Sequence, residues 1–406
     1  MKRDLDALME SSGLDAILVV GDSRNNAPMR YLMGRGQVGR AVLVRKRNAM
    51  PVVCCSAMER DEAASSGLQV MPLVTAGVDS LLQDPSEILQ AQALIKGRVG
   101  LYGTLDVGDL LAILGRIRQV FPDLEVITEP RDDSILLRAM ETKDEGEVER
   151  IRQMGRITTE VVGKVAALLT SSRVREDQVL LRDDDSPLAV ADVKARISLW
   201  LAERGAEQLE GCIFAVGRDA GVPHSMGASG DLLRLGSTIV IDVFPSEAGG
   251  GYFYDFTRTW SLGYATAEAQ KLYDEVRSAY EDVIQNIDLN VGFKECHKLV
   301  CEQFHRDGHQ TPIHTQGVLE HGYVHSLGHG VGLNVHERPW SRHTAGDDNL
   351  LKPGVVISVE PGLYYPAESM GVRLEDTYWM RPDGQLELLA EYPYDFVLPM
   401  KHWRPA

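Results

Sequence analysis

The stretch GYVHSLGHGVGLNVHE, Gly322–Glu337, holds His325, His329, His336 and four glycines within sixteen residues of a chain with eleven histidines. Imidazoles at such density serve as metal ligands, as acid–base groups or as polar residues of a flexible loop. His325 and His329 have the spacing of the zinc-binding H-E-x-x-H helix. Ser326, however, stands where that motif has Glu, and Gly328 and Gly330 oppose a helix. GHGVG is no nucleotide loop either, because no Lys-Ser or Lys-Thr follows it. The glycines read better as positions where the backbone passes close to something bulky or charged.

Two further segments read as hairpins that carry acids. In STIVIDVFPSEAGGGYFYDFTRTW, strand residues 237–244 lead into Pro245 and Gly249–Gly251, and the midpoint between Asp242 and Asp255 falls in the turn. In GVVISVEPGLYYPAESMGVRLEDTYWM, the midpoint between Glu360 and Glu375 falls in PAESMG. Each pair should therefore lie nearly opposite across its hairpin, with Cβ atoms about 5 Å apart. Like charges so placed repel, and each pair needs a cation, a proton or an arginine between its members. A single Asp or Glu is ordinarily solvated beside a lysine or arginine. Two turn-symmetric pairs on β-branched strands point instead to a shared site. Two divalent cations would neutralise the four carboxylates, and one histidine would complete the ligand set. Oxygen-rich ligands with one imidazole suit manganese, cobalt, iron or zinc, and argue against a thiolate site.

These residues need a scaffold, and the chain divides into two parts. AILVVG, AVLVR, PVVCC, VGLYG and LEVIT read as strands, and SAMERDEAASSG and VGDLLAILGRIRQVF as helices, which makes an N-terminal α/β domain. The pattern changes near Thr142. There Thr142 and Glu145 have capping-box spacing, and Val148, Ile151, Ile157, Val161 and Val165 recur at roughly helical intervals. The first long helix of the second domain is predicted here, with boundaries at 1–138 and 139–406. RDDDSP (182–187) is a charged surface loop.

Acidic residues outnumber basic ones, 59 to 42, for a net charge of -17, which argues against nucleic acid or an anionic membrane as partner. With 44% hydrophobic and 25% charged residues the composition is that of a globular protein. No transmembrane helix is expected. Lys2 and Arg3 are followed by Asp4, Asp6 and Glu10, which interrupt any signal-peptide core. Cys54, Cys55, Cys212, Cys296 and Cys301 form no C-x-x-C pair and are expected as reduced thiols of a cytoplasmic protein.

Taken in order, AVGRDAGVPHS, VIDVF…YFYDFTRTW, VHSLGHGVGLNVHE, ISVEPGLY and GVRLED resemble the metal-dependent pita-bread hydrolases: methionine aminopeptidase, aminopeptidase P, prolidase and creatinase. The motifs cover residues 140–400, and the N-terminal part resembles the extra domain of the prolidase, aminopeptidase P and creatinase branch. The resemblance implies an α/β two-domain chain, a creatinase/prolidase-like α/β domain followed by an α+β pita-bread catalytic domain. It places Asp242, Asp255, His329, Glu360 and Glu375 on the metal-ligand positions for two divalent ions, manganese first, with cobalt or zinc as alternatives. It places His224, His325 and His336 on positions that contact substrate or the tetrahedral intermediate, and Arg373 on a position that braces a ligand carboxylate. SEAGGG makes the first turn longer than in many relatives. His297, His305, His309, His314, His321 and His343 have no such context and are left as surface or structural residues. Arg258 reads either as a sheet-surface residue or as a carboxylate partner.

The activity implied is hydrolysis of an X-Pro bond, in a dipeptide or at the N-terminus of a longer peptide, by a hydroxide activated between two metals. His336 would stabilise the oxyanion, Glu360 would shuttle the proton, and His224 would assist at the substrate. A homodimer is expected from the same branch. Three rivals share the scaffold: a metal-free creatinase-like hydrolase, a non-catalytic binding protein, and a metal-dependent lyase or hydrolase of a small non-peptide molecule. A dipeptidase also needs an arginine for the substrate carboxylate. GDDNLLKPGVVISVEPG supplies none, which leaves Arg338 or Arg342.

Overall fold

The computed structural model describes residues 4–72 and 85–404; Lys2 and Arg3 of the N-terminal reading lie outside them. Contacts divide the chain into two units, one of Met1–Met140 with Gly249–Gly251, the other of Glu141–Ala248 with Tyr252–Ala406.

The first unit is built on a mixed sheet. Its strands are β1 (Ala16–Gly21), β2 (Ala41–Lys46), β3 (Val52–Cys55), β4 (Gln69–Pro72), β5 (Gly97–Gly103) and β6 (Leu124–Ile127), in the order β4-β3-β2-β1-β5-β6. β1 pairs antiparallel with β2 and parallel with β5. The central strand AILVVG is buried along its whole length, which explains a continuous apolar run in place of alternation. Ile113 and Ile117 of α5 (Val107–Val120) pack into the same core, one turn apart on one face. Short helices also occur at Leu5–Ser11 (α1), Ala27–Met33 (α2), Arg60–Ser65 (α3), Ser86–Ala91 (α4) and Ile135–Met140 (α6).

The second unit opens with α7, Glu145–Ser171. Its cap is Asp144, whose side chain accepts from Glu147 N while the Glu147 side chain accepts from Asp144 N. This corrects the expected box at Thr142 and Glu145 by two residues. Asp caps as well as Thr, and Thr142 is instead engaged in a bridge to Val355. Gly155 lies inside α7 because a Cβ there would sit 2.6 Å from the Tyr254 ring.

Two sheets carry the chemistry. One joins β7 (Cys212–Val216), β8 (Thr238–Val243) and β9 (Thr257–Leu262), with Val397–Leu398 at its edge. The other has the order β11-β10-β12-β15-β16, from β10 (His329–Gly330), β11 (Glu337–Trp340), β12 (Val356–Val359), β15 (Asp376–Met380) and β16 (Leu386–Leu388). Between β12 and β15, the hairpin β13 (Gly362–Tyr365) and β14 (Met370–Arg373) projects. An isolated bridge, Thr257 to Glu375, ties the two sheets together.

Behind the second sheet lie α9 (Ala267–Asn286) and α10 (Phe293–Arg306), with α8 (Val190–Ala202) earlier in the chain. Leu272, Tyr273, Val276, Ala279, Tyr280 and Val283 form one buried stripe of α9 that packs with Val355, Ile357 and Val359. Each such leucine or valine contributes about 1.5–3 kcal/mol when fully buried. Among the described residues no helix is long and apolar enough to cross a membrane.

Candidate metal centre

The hairpin that carries Glu360 and Glu375 keeps one register throughout. Val359 pairs with Asp376 and Gly362 with Arg373, so Glu360 faces Glu375 across the gap between the two ladders. The first hairpin is offset from the sequence expectation. Asp242 pairs with Thr257, and Asp255 lies two residues before that partner, outside the strand. The reason is the turn. Gly249 and Gly250 both take positive φ, 86° and 85°, and the hairpin is centred on them rather than on the arithmetic midpoint of the aspartates. The bridge between Ser246 and Phe253 keeps the same register.

The histidine stretch is neither a helix nor a slack loop. Its glycines let neighbouring chain approach: a Cβ at Gly328 would be 2.1 Å from Ser358 O, and one at Gly330 1.9 Å from Arg338 O. β10 and β11 therefore pinch together, and the His329 and His336 rings meet with centroids 4.3 Å apart.

One cavity of about 390 Å³ is lined by His224, Asp242, Asp255, His325, His329, His336, Glu360, Arg373 and Glu375. His329 Nε2 lies 3.6 Å from Asp255 Oδ2 and 3.5 Å from Glu360 Oε1. One ligand atom from each of Asp255, His329 and Glu375 falls within 4.8 Å of the others. His329 Nδ1 donates to Gly330 O at 3.1 Å, which fixes the tautomer and turns the Nε2 lone pair toward the acids. Burial, reinforced by neighbouring His336, pulls the His329 pKa down to about 3, so the ring is neutral and fit for coordination.

The acids are crowded. Burial and then the charge of Glu375 push Asp255 and Glu360 well above the usual carboxylate range. Burial and then Asp242 push Glu375 up to about 8. Asp242 Oδ1 and Glu375 Oε1 are buried with no hydrogen-bond partner among the described residues. Buried carboxylate oxygens without donors, beside a neutral imidazole, are a donor set that fits divalent cations.

A frame of hydrogen bonds holds the set. Arg373 Nη2 donates to Asp242 Oδ2 at 2.5 Å, Nε to Thr257 Oγ1 at 3.2 Å and Nη1 to Tyr364 Oη at 2.8 Å. Thr257 Oγ1 in turn donates to Glu375 Oε2 at 2.7 Å. His325 Nδ1 donates to Ser326 O at 2.7 Å, and its Nε2 accepts from Tyr364 Oη at 2.8 Å. Burial, with Arg373 nearby, pulls the His325 pKa down to about 3. Thr257 and Tyr364 were not singled out from the sequence. Their signal was position alone, Thr257 in FTRT and Tyr364 in EPGLYY.

Arg258 is buried and pairs with Asp376 at 2.9 Å, which selects the carboxylate-partner reading. Arg338 is also buried, held by Glu141 and Asp348, and it does not line the cavity; Arg342 does. His297 is buried against Tyr323, with Nδ1 3.1 Å from Tyr323 Oη. The five cysteines are buried free thiols.

Comparison with known proteins places this architecture. Probable dipeptidase PepE of Mycobacterium bovis is 29% identical over 264 residues, 65% of this chain and 62% of that protein. The Xaa-Pro dipeptidase of Pyrococcus furiosus is 31% identical over 202 residues, 48% of this chain and 52% of that one. The chain thus spans between half and two thirds of these relatives. The solved structure of an Xaa-Pro dipeptidase from Bacillus anthracis superposes with a TM-score of 0.77 at 18% identity, over 97% of this chain and 98% of that one, and the pita-bread fold is shared. The pattern of metallopeptidase family M24 matches residues 149–382, which include every residue of the cavity described above. The chain belongs to metallopeptidase family M24.

Proposed function

We propose that the chain is a metal-dependent peptidase that hydrolyses X-Pro bonds, in Xaa-Pro dipeptides or at the N-terminus of longer peptides. The observation that carries this reading is the cluster itself: Asp242, Asp255, Glu360 and Glu375 beside the neutral imidazole of His329 on one cavity, with two buried carboxylate oxygens that have no donor among the described residues. The proline preference rests on the relatives, among them a protein named Xaa-Pro dipeptidase.

In this reading Asp242, Asp255, His329, Glu360 and Glu375 hold two divalent ions, manganese first, then cobalt or zinc. Ions bound there supply Lewis acidity and acidify water, which gives hydrolysis its nucleophile at neutral pH. The side chains do the rest. Arg373 and Thr257 hold Asp242 and Glu375 in their orientations. Glu360 carries a proton to the leaving nitrogen. His336 donates to the carbonyl oxygen as charge develops on it. His224 contacts the substrate and assists there.

Both nitrogens of His325 are engaged, so it offers the substrate a ring face. Proline suits such a face, since its ring holds φ at about -65° and its amide has no N–H to satisfy. Arg342 is our candidate for the carboxylate of a dipeptide, in place of Arg338.

We place the protein in the cytoplasm as a homodimer, with small peptides and not nucleic acid or membrane as its partners. Metal analysis tests the centre: up to two divalent ions per chain are expected, a chelator should abolish activity, and His329→Ala or Glu375→Ala should do the same. Full activity in metal-free protein would refute the reading. Light scattering at a single chain's mass of 44.8 kDa would refute the dimer.

A further inference from the structure

Four charged side chains are buried behind the hairpin that carries His329 and His336. Lys143 Nζ lies 2.9 Å from Glu337 Oε2, the two side chains 1% and 0% exposed. One step along, Arg338 Nε lies 3.3 Å from Glu141 Oε2, both 3% exposed. Two consecutive residues of β11 are thus answered by two alternate residues of the segment that precedes α7.

The remaining valences of Glu337 go to the same hairpin. Its Oε1 accepts from Asn334 N at 2.9 Å and from Asn334 Nδ2 at 3.2 Å. Gly332 gives room for this arrangement, since a Cβ there would lie 2.3 Å from Glu337 Oε2 and 2.8 Å from Lys143 Cε. Gly332 N also donates to Asn334 O, and Gly332 O accepts from Phe253 N at 2.8 Å. Glu337 therefore grips the turn 332–334 from below, while its neighbour His336 lines the cavity above. His336 is the last residue of the bend that leads into β11 and is joined to Glu337 by one peptide bond, so a shift of Glu337 carries His336 with it.

A buried ion pair is a poor source of stability, because apolar side chains of similar volume in its place are often as stable or more so. What it fixes well is geometry, through directed bonds. We propose that Lys143 and Glu337 are positioning residues whose ion pair sets the placement of the His336 ring against His329. This rests on the role given to His336 in the proposed peptidase.

The test compares wild type with Lys143→Met/Glu337→Leu, which replaces the pair by apolar groups, and with the single variant Glu337→Gln. Three quantities are read on zinc-loaded protein: melting temperature, kcat and KM on Ala-Pro, and the His336 ring signal in 15N-histidine NMR, assigned by its loss in His336→Gln. The expected result for the double variant is an unchanged or higher melting temperature. Its kcat should fall at least about tenfold with KM within about twofold, and its His336 signal should broaden or split. A sharp, unshifted His336 signal with kcat within about twofold of wild type would overturn the proposal. If the double variant does not fold, Glu337→Gln decides on the same readings, because its NH2 must face either Lys143 Nζ or the two Asn334 donors and so breaks one side of the arrangement. If wild type cleaves no X-Pro peptide, the peptidase reading fails, and the His336 signal alone decides for or against the pair.

Discussion

The Thr257 hydroxyl donates to Glu375 Oε2 at 2.7 Å, while Glu375 Oε1 is buried with no hydrogen-bond partner among the described residues. One oxygen is anchored by a neighbouring strand and the other is left to accept. A carboxylate so divided is oriented before any cation arrives.

Removing the anchor should therefore weaken metal binding without removing a ligand. Thr257→Val keeps the shape of the side chain and deletes the donor. Outer partners of metal ligands are worth about 10–100-fold in affinity. Calorimetric titration with manganese should show a loss in that range; an unchanged affinity would mean that Thr257 does not orient Glu375.

His336→Ala should separate chemistry from binding of metal. Loss of one oxyanion donor costs about a hundredfold or more in kcat. Metal content by mass spectrometry should stay at the wild-type value. Loss of metal would instead make His336 a ligand.

Tyr364→Phe deletes the hydroxyl that accepts from Arg373 and donates to His325. His325 Nε2 is then left without its donor in a buried site, and the ring loses one of the two hydrogen bonds that fix it. We expect kcat/KM on X-Pro substrates to fall about tenfold, the scale of one lost hydrogen bond of about 1.4 kcal/mol. Metal affinity should be nearly unchanged, and unaltered kcat/KM would remove Tyr364 from the account.

His297 sets a limit on acid stability away from the metal ligands. Burial, with His343 nearby, lowers its pKa from 6.5 to about 4. Between these values the unfolded chain binds the proton and the folded chain does not, so stability falls as pH drops from about 6.5 to about 4. Melting temperatures of the chelated protein at pH 7 and pH 5 should show this loss. His297→Phe should reduce the difference between the two pH values, and an equal difference in both proteins would assign the acid limb elsewhere.

The pairing of Glu360 with Glu375 could be read from the sequence because the turn PAESMG is symmetric about its centre and the register on either side does not slip. Asp242 and Asp255 lie two residues out of the opposition that their midpoint implies, since the two glycines of positive φ, and not the acids, choose where that hairpin turns. Five strands of the first unit are legible as apolar runs, whereas Gln69–Pro72 is not, being four residues that open on Gln and close on Pro. Helices such as Leu5–Ser11 and Ala27–Met33 were not, since seven residues span barely two turns and show little period. Glu141, Lys143 and Asp376 look in sequence like solvated charges, and only tertiary pairing buries them. Thr257 and Tyr364 are similar cases, polar residues whose partners lie far along the chain.

The central claim is that this cavity, loaded with metal, selects the X-Pro bond. The most direct measurement is kcat/KM on Ala-Pro, Ala-Pro-Ala and Ala-Ala with saturating manganese, repeated after chelation. Cleavage of the two proline peptides should lie well above that of Ala-Ala and be lost on chelation, with Ala-Pro favoured if Arg342 receives the substrate carboxylate. Equal or better cleavage of Ala-Ala, or turnover that survives metal removal, would contradict it.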